Sequence, residues 1–333
     1  MFRSFDSSLQ RRTGHSAGRS PAWLLLMLFL TQTLLMNSPS VKAQDAEKAD
    51  DKKPKIPAPE TKKLMTKDGV SLNCRFYPGT RKKDSVPIML IHGWEERGSQ
   101  YAELALSLQK RGHAVIVPDL RGHGLSTKRK TPQGVATIRR DRMNKQALLA
   151  MVMDLEACKS FLRKQNNEGL LNLEQLCLVG SDLGALIALE WAVRDWNAPR
   201  LPTLKQGQDV KALVLISPPQ SFKGLTAQAA YTHPQVSRLS TLIITGKENT
   251  RAFSDARRIY NRFEKARDKL PQSQKESLFN YGCKTTKQSA DLFAKGIDPN
   301  PFTLISNFVL LRLEKRKVDF PWTDRTNPFN ESK

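Results

Sequence analysis

The stretch Leu178-Val179-Gly180-Ser181-Asp182-Leu183-Gly184-Ala185 decides how this chain is read. Apolar residues run into Gly180 and an apolar helical pattern leaves from Leu183, which predicts a strand, a tight turn and a helix start. Glycines at 180 and 184 bracket the turn, where a missing Cβ lets strand and helix approach closely. The residue between them is Asp182, a carboxylate at the start of a helix. A helix N-terminus favours negative charge, so a capping role for Asp182 competes with a chemical one. Chemistry that relays protons needs a base, and no histidine follows His233.

Outward from this stretch, apolar runs alternate with amphipathic segments. Val86 to Ile91, Ala114 to Val117, Leu176 to Val179, Ala212 to Ile216 and Thr241 to Thr245 read as buried strands, with Ser277 to Tyr281 as the last. Between them, Tyr101, Leu104 and Leu108 share one helical face, and Leu148, Val152, Leu155 and Leu162 share another. Asn300-Pro301 opens a terminal helix. Ahead of these, Leu64 to Tyr77 reads as a hairpin turning at Asp68-Gly69. Strands that are apolar throughout and alternate with helices predict an α/β fold, a mostly parallel sheet covered by helices on both faces. Pro218 to Leu239 leaves room for only a short cap, or none.

Three loops follow the first three buried strands: His92-Gly93-Trp94-Glu95-Glu96, Asp119-Leu120-Arg121-Gly122-His123-Gly124-Leu125-Ser126, and the Gly180 to Gly184 turn. In this order the chain resembles the α/β-hydrolase superfamily over residues 62–315, and within it the monoacylglycerol lipase, lysophospholipase and serine-aminopeptidase-like group. The resemblance implies a nucleophile at Asp182 and oxyanion donors at the backbone N–H groups of Trp94 and Leu183. It implies an acid just after Thr241–Thr245, where Asn249 stands. It implies a histidine after the last strand, where Cys283 stands. All three catalytic positions depart from the usual serine, aspartate and histidine. Haloalkane dehalogenases and epoxide hydrolases of this fold use an aspartate nucleophile, but with a histidine-activated water and a large cap. His233, in the short connection before Thr241, is the one candidate substitute base. The expectation is a catalytically impaired protein that binds an acyl or anionic ligand. An active ester or acyl hydrolase built on Asp182 and a cell-envelope interaction protein are the alternatives. No cofactor and no metal site is expected.

The chain of 333 residues carries 54 Lys and Arg against 32 Asp and Glu, a formal charge of +22 that favours anionic partners. Arginines at 3, 11, 12 and 19, an apolar run from Ala22 to Met36 and Val41-Lys42-Ala43 before Gln44 read as a secretory signal peptide over 1–43. An uncleaved membrane anchor is the alternative. Export, to a periplasmic or extracellular location, argues against nucleic acid and leaves an acidic polysaccharide or lipid surface as possible partners. Residues 44–61 read as a flexible charged linker and 316–333 as a tail. Lys128, Arg129, Lys130, Arg139 and Arg140 read as an anion-binding platform near the pocket, with a solvated charged face as the alternative. The four cysteines, Cys74, Cys158, Cys177 and Cys283, do not define a pairing, and the oligomeric state stays open.

Overall fold

A computed structural model describes residues 56–326 apart from 200, 202 and 203. The signal peptide read over 1–43 and most of the linker lie outside the described residues.

The chain opens with β1 (Glu60–Met65) and β2 (Val70–Tyr77), an antiparallel hairpin. β3 (Pro87–Ile91), α1 (Ala102–Lys110) and β4 (Ala114–Pro118) follow. A basic hairpin, β5 (Lys128–Thr131) and β6 (Gly134–Thr137), leads into α2 (Lys145–Leu149) and α3 (Val152–Asn167). Then come β7 (Leu176–Ser181), α4 (Leu183–Trp196) and β8 (Val210–Ile216). The short connection that follows holds a small hairpin, β9 (Ser221–Phe222) and β10 (Leu225–Thr226), and α5 (Gln228–Thr232). The chain closes with β11 (Ser240–Gly246), α6 (Thr250–Ala266), α7 (Gln272–Lys275), β12 (Leu278–Cys283) and α8 (Pro301–Arg312).

The strands pair in the order β1-β2-β4-β3-β7-β8-β11-β12, with the β5–β6 hairpin added alongside the start of β2. From β4 to β12 every neighbour is parallel. Side chains alternate across the sheet: Ile88 and Leu90 join one core with α1 and α8, while Met89 and Ile91 join the other with α3, α4 and α6. The expected mostly parallel sheet with helices on both faces is therefore the observed fold. Among the described residues, no helix is long and apolar enough to cross a membrane.

The sequence reading missed the β5–β6 hairpin, because its residues are charged or exposed and lack an apolar alternation. The single long helix expected from Leu148 to Leu162 is two helices, α2 and α3, separated at Ala150-Met151. β1 begins at Glu60, inside the segment read as linker.

Residues beyond 315, read as a tail, contribute Arg325, which is buried. Its guanidinium meets Glu174 at 2.6 Å and Asp209 at 2.5 Å. Asp209 also meets Lys159 at 2.9 Å, and Lys159 meets Asp195 at 2.6 Å. Asp195 accepts the backbone N–H groups of Asp209 and Val210, so this network holds the entry to β8. Replacing Lys159 with Met leaves Asp195 and Asp209 buried without their shared cation. Breaking a buried pair on one side costs about 3–5 kcal/mol. Lys159→Met is expected to lower the urea midpoint accordingly, and a loss below about 1 kcal/mol, the size of a surface pair, would show that the network is not structural.

Candidate active site

Asp182 sits at the turn between β7 and α4 with φ 46° and ψ −122°, a conformation that is strained for any residue with a Cβ. Two glycines make the turn possible. A Cβ on Gly180 would stand 2.5 Å from the carbonyl of Gly184, and one on Gly184 would stand 2.4 Å from the carbonyl of Ile91. The start of α4 is thereby pressed against the ends of β7 and β3. The Asp182 N–H is held by the Ile216 carbonyl at 2.9 Å, which fixes the turn to β8.

The Asp182 side chain makes no capping bond to α4, so the capping role weighed from the sequence is not the one observed. Instead, Asp182 Oδ2 accepts the Trp94 N–H at 3.1 Å. Trp94 is one of the two expected oxyanion donors. Leu183, the other, is the first residue of α4, where an N–H has no intrahelical acceptor. The carboxylate thus engages one of the two N–H groups expected to hold an oxyanion.

A second carboxylate faces it. A Cβ on Gly93 would stand 2.8 Å from Glu96 Oε2 and 3.1 Å from Asp182 Oδ2. Glu96 accepts the Gly93 N–H at 2.6 Å, the Tyr101 hydroxyl at 2.6 Å and the Ala290 N–H at 2.9 Å. Burial, then the nearby carboxylates of Glu96 and Asp182, push the Tyr101 hydroxyl well above its ordinary range, so it stays a neutral donor. Ser181 is buried in β7 beside that hydroxyl.

The expected proton-relay residues are elsewhere. His233 bonds Asn197 at 3.1 Å, just past the far end of α4. A helix of that length separates it from Asp182 by about 20 Å, so His233 is no substitute base. Asn249 stands after β11 as expected, but its side chain caps α6 by accepting the Ala252 N–H. Cys283 is the last residue of β12 and buried, with its thiol donating to the Pro299 carbonyl at 3.3 Å. Burial pushes that thiol up to about 11, the opposite of what a nucleophile needs.

In the loop after β12, Gln288 makes the bonds that cross to the neighbouring strands. Gln288 accepts the Ser217 hydroxyl at 2.7 Å and donates to the Gly246 carbonyl at 2.9 Å, bridging the ends of β8 and β11. Ser289 donates its N–H to the same Ser217 oxygen at 3.0 Å. The loop is therefore stitched across the site to Ser217 and, through Ala290, to Glu96. No sequence signal marked Gln288, because its partners Ser217 and Gly246 are distant in the chain.

The expected basic platform is divided. Arg140 donates to the Trp94 carbonyl at 3.1 Å and lies 5.6 Å from the indole ring. Lys128, Arg129 and Lys130 are on the exposed hairpin at the sheet edge, with Arg129 donating to the Asp68 carbonyl. Arg139 pairs with Asp141 at the surface. Lys223, absent from the sequence reading, brings its ammonium 4.2 Å from the centre of the Trp94 ring, beside Phe222.

Both nearby imidazoles are occupied by the backbone. His123 contacts the Trp94 carbonyl at 2.6 Å and the Arg121 carbonyl at 3.0 Å. His92 Nδ1 donates to the Gly93 carbonyl at 2.7 Å, and its Nε2 accepts the Leu120 N–H at 2.9 Å.

A protein-family model described as the alpha/beta hydrolase fold matches residues 86–278. The chain belongs to the α/β-hydrolase fold family. An esterase from Pyrococcus furiosus superposes with a TM-score of 0.54 at 14% identity, covering 77% of this chain and 91% of the esterase, a likeness of fold. A non-heme chloroperoxidase from Burkholderia pyrrocinia is 38% identical over 63 residues, 19% of this chain and 22% of that protein. An uncharacterized protein of Mycobacterium tuberculosis is 26% identical over 139 residues, 42% of this chain and 43% of its own length. The chain thus spans less than half the length of the curated relatives it matches.

His92 gives this α/β-hydrolase-fold protein a pH signature. Burial pushes its pKa from 6.5 down to about 4. Between those values an unfolded chain takes up a proton that the folded chain refuses. Stability from His92 is therefore full above pH 6.5 and lost as pH falls through about 4. The urea midpoint is expected to drop across this window, and His92→Asn is expected to flatten the drop. An NMR titration placing His92 near 6.5 would contradict this reading.

Proposed function

We propose that this is an exported α/β-hydrolase-fold protein that has lost turnover and binds an acyl or anionic ligand at the mouth of the former active site. The HG-W-E-E and D-L-R-G-H-G-L-S loops resemble those of the monoacylglycerol lipase and lysophospholipase branch, which supports this reading. One observation supports the loss of turnover: the loop after β12 holds no histidine and turns the Gln288 amide, which cannot take a proton from water, onto Ser217 and Gly246. His92 and His123 are spent on backbone bonds, and His233 is at the far end of α4. The binding half rests on Trp94, whose indole is flanked by the cations of Arg140 and Lys223 beside the Asp182 loop.

A second reading is favoured by the Asp182 geometry. With Oδ2 on the Trp94 N–H, the other oxygen is left for attack on an electrophilic carbon. The ester so formed would then need an activated water to be released.

A panel of short- and medium-chain acyl esters, assayed beside Asp182→Ala, separates the two. The expected rate is the same for both proteins and equal to buffer, whereas turnover abolished by Asp182→Ala overturns the proposal. Decanoate, at once acyl and anionic, tests the binding half by calorimetry. Arg140→Ala with Lys223→Ala is expected to weaken it about tenfold, the effect of about 1.4 kcal/mol of charge-assisted contact. Unchanged affinity in that variant would move the ligand away from Trp94.

A further inference from the structure

A cleft of about 570 Å³ opens between the loop after β8 and the first turns of α6, within the size range of ligand sites. Gln220 and Ser221 form one wall. Thr250, Arg251, Ser254, Asp255 and Arg258 form the other, along one face of α6. Every one of these residues carries a polar group, which suits a hydroxyl-rich ligand better than an acyl chain. Neither Arg251 nor Arg258 has a hydrogen-bond or ion-pair partner among the described residues. Their positions are seven residues apart, about 10 Å along the helix axis, a spacing that addresses two anionic groups rather than one.

Asp255 distinguishes among anions. One of its oxygens accepts the Gln220 amide at 2.7 Å, and its charge remains in the wall. A site for bare phosphate would be weakened by that carboxylate. A ligand with both anionic groups and hydroxyl donors uses it, since the carboxylate accepts the hydroxyls. The formal charge of +22 concentrates polyanions around the protein without choosing among them, so the choice falls to the cleft.

From this geometry we infer that the cleft binds an acidic oligosaccharide, with sulfate or carboxylate groups on Arg251 and Arg258 and sugar hydroxyls on Asp255, Ser254 and Ser221. The site uses none of the residues around Trp94, so it stands whether or not Asp182 supports turnover and whether or not decanoate binds.

The test is direct binding of three probes to the purified full chain: a sulfated heparin hexasaccharide, a galacturonate hexasaccharide and neutral maltohexaose. Salt is held at about 150 mM, where the Debye length is about 8 Å and diffuse attraction is damped. At least one acidic probe is expected to bind, and the neutral one not. The tighter acidic probe identifies sulfate or carboxylate as the recognised group. Arg251→Ala with Arg258→Ala, both solvent-exposed and free of partners, is expected to weaken binding at least about tenfold. Lys128→Ala with Arg129→Ala and Lys130→Ala, an equal or larger loss of charge on the β5–β6 hairpin, is expected to change it by less than about twofold, as surface charges do. Absence of binding by both acidic probes overturns the inference. So does a loss in the hairpin variant that matches the loss in the cleft variant, since binding would then follow total charge.

Discussion

The contact on which the rest of this structure depends is the one between the start of α4 and the ends of β7 and β3. It exists because residues 180 and 184 have no Cβ. The close approach forces the residue between them into a left-handed, strained conformation, and the bond from Asp182 N–H to the Ile216 carbonyl locks it. That arrangement brings the Trp94 loop, the end of β8 and the turn itself to a single point. Strain of this kind persists only where its surroundings over-determine it. Here the surroundings are a parallel sheet with apolar cores on both faces.

The same packing explains how the α/β-hydrolase frame is held independently of any proton relay. The elbow, the loop after β3 and the loop after β4 are held by backbone bonds and by two buried imidazoles. His92 links the loop after β3 to Leu120, and His123 links the loop after β4 to Trp94. None of these bonds needs a base in the loop after β12. That loop is anchored instead by Gln288, Ser289 and Ala290, which satisfy Ser217, Gly246 and Glu96. The fold and the chemistry are thus separable, because the side chains that would do chemistry bear no weight in the core.

The charge of this protein also divides by location. Cations on the β5–β6 hairpin are exposed at the sheet edge and answer mainly to solvent and salt. Arg140 and Lys223 lie against the Trp94 ring, where a neighbouring aromatic face orients them. Arg251 and Arg258 stand in a cleft lined by polar residues, without partners among the described residues. The composition sums these groups into one number, although their surroundings differ.

By itself the sequence determined the architecture. Apolar runs of strand length, two glycines around Asp182 and Asn300-Pro301 at a helix start are local signals, and local sterics and periodicity suffice to read them. It also determined that residue 182 is an aspartate and that no histidine follows 233, facts that need no coordinates. Tertiary structure alone decided what those positions do. Asp182 turns to the Trp94 N–H rather than to its own helix, Asn249 caps α6, Cys283 ends a strand and Gln288 fastens the loop that follows it. His233 looked close in the chain and is a helix length away. Arg325, in a segment without apolar pattern, is buried by carboxylates from two distant positions in the chain. The physical reason is the same in each case: a polar side chain takes the partner that folding brings within about 3 Å, and sequence separation says little about which partner that is.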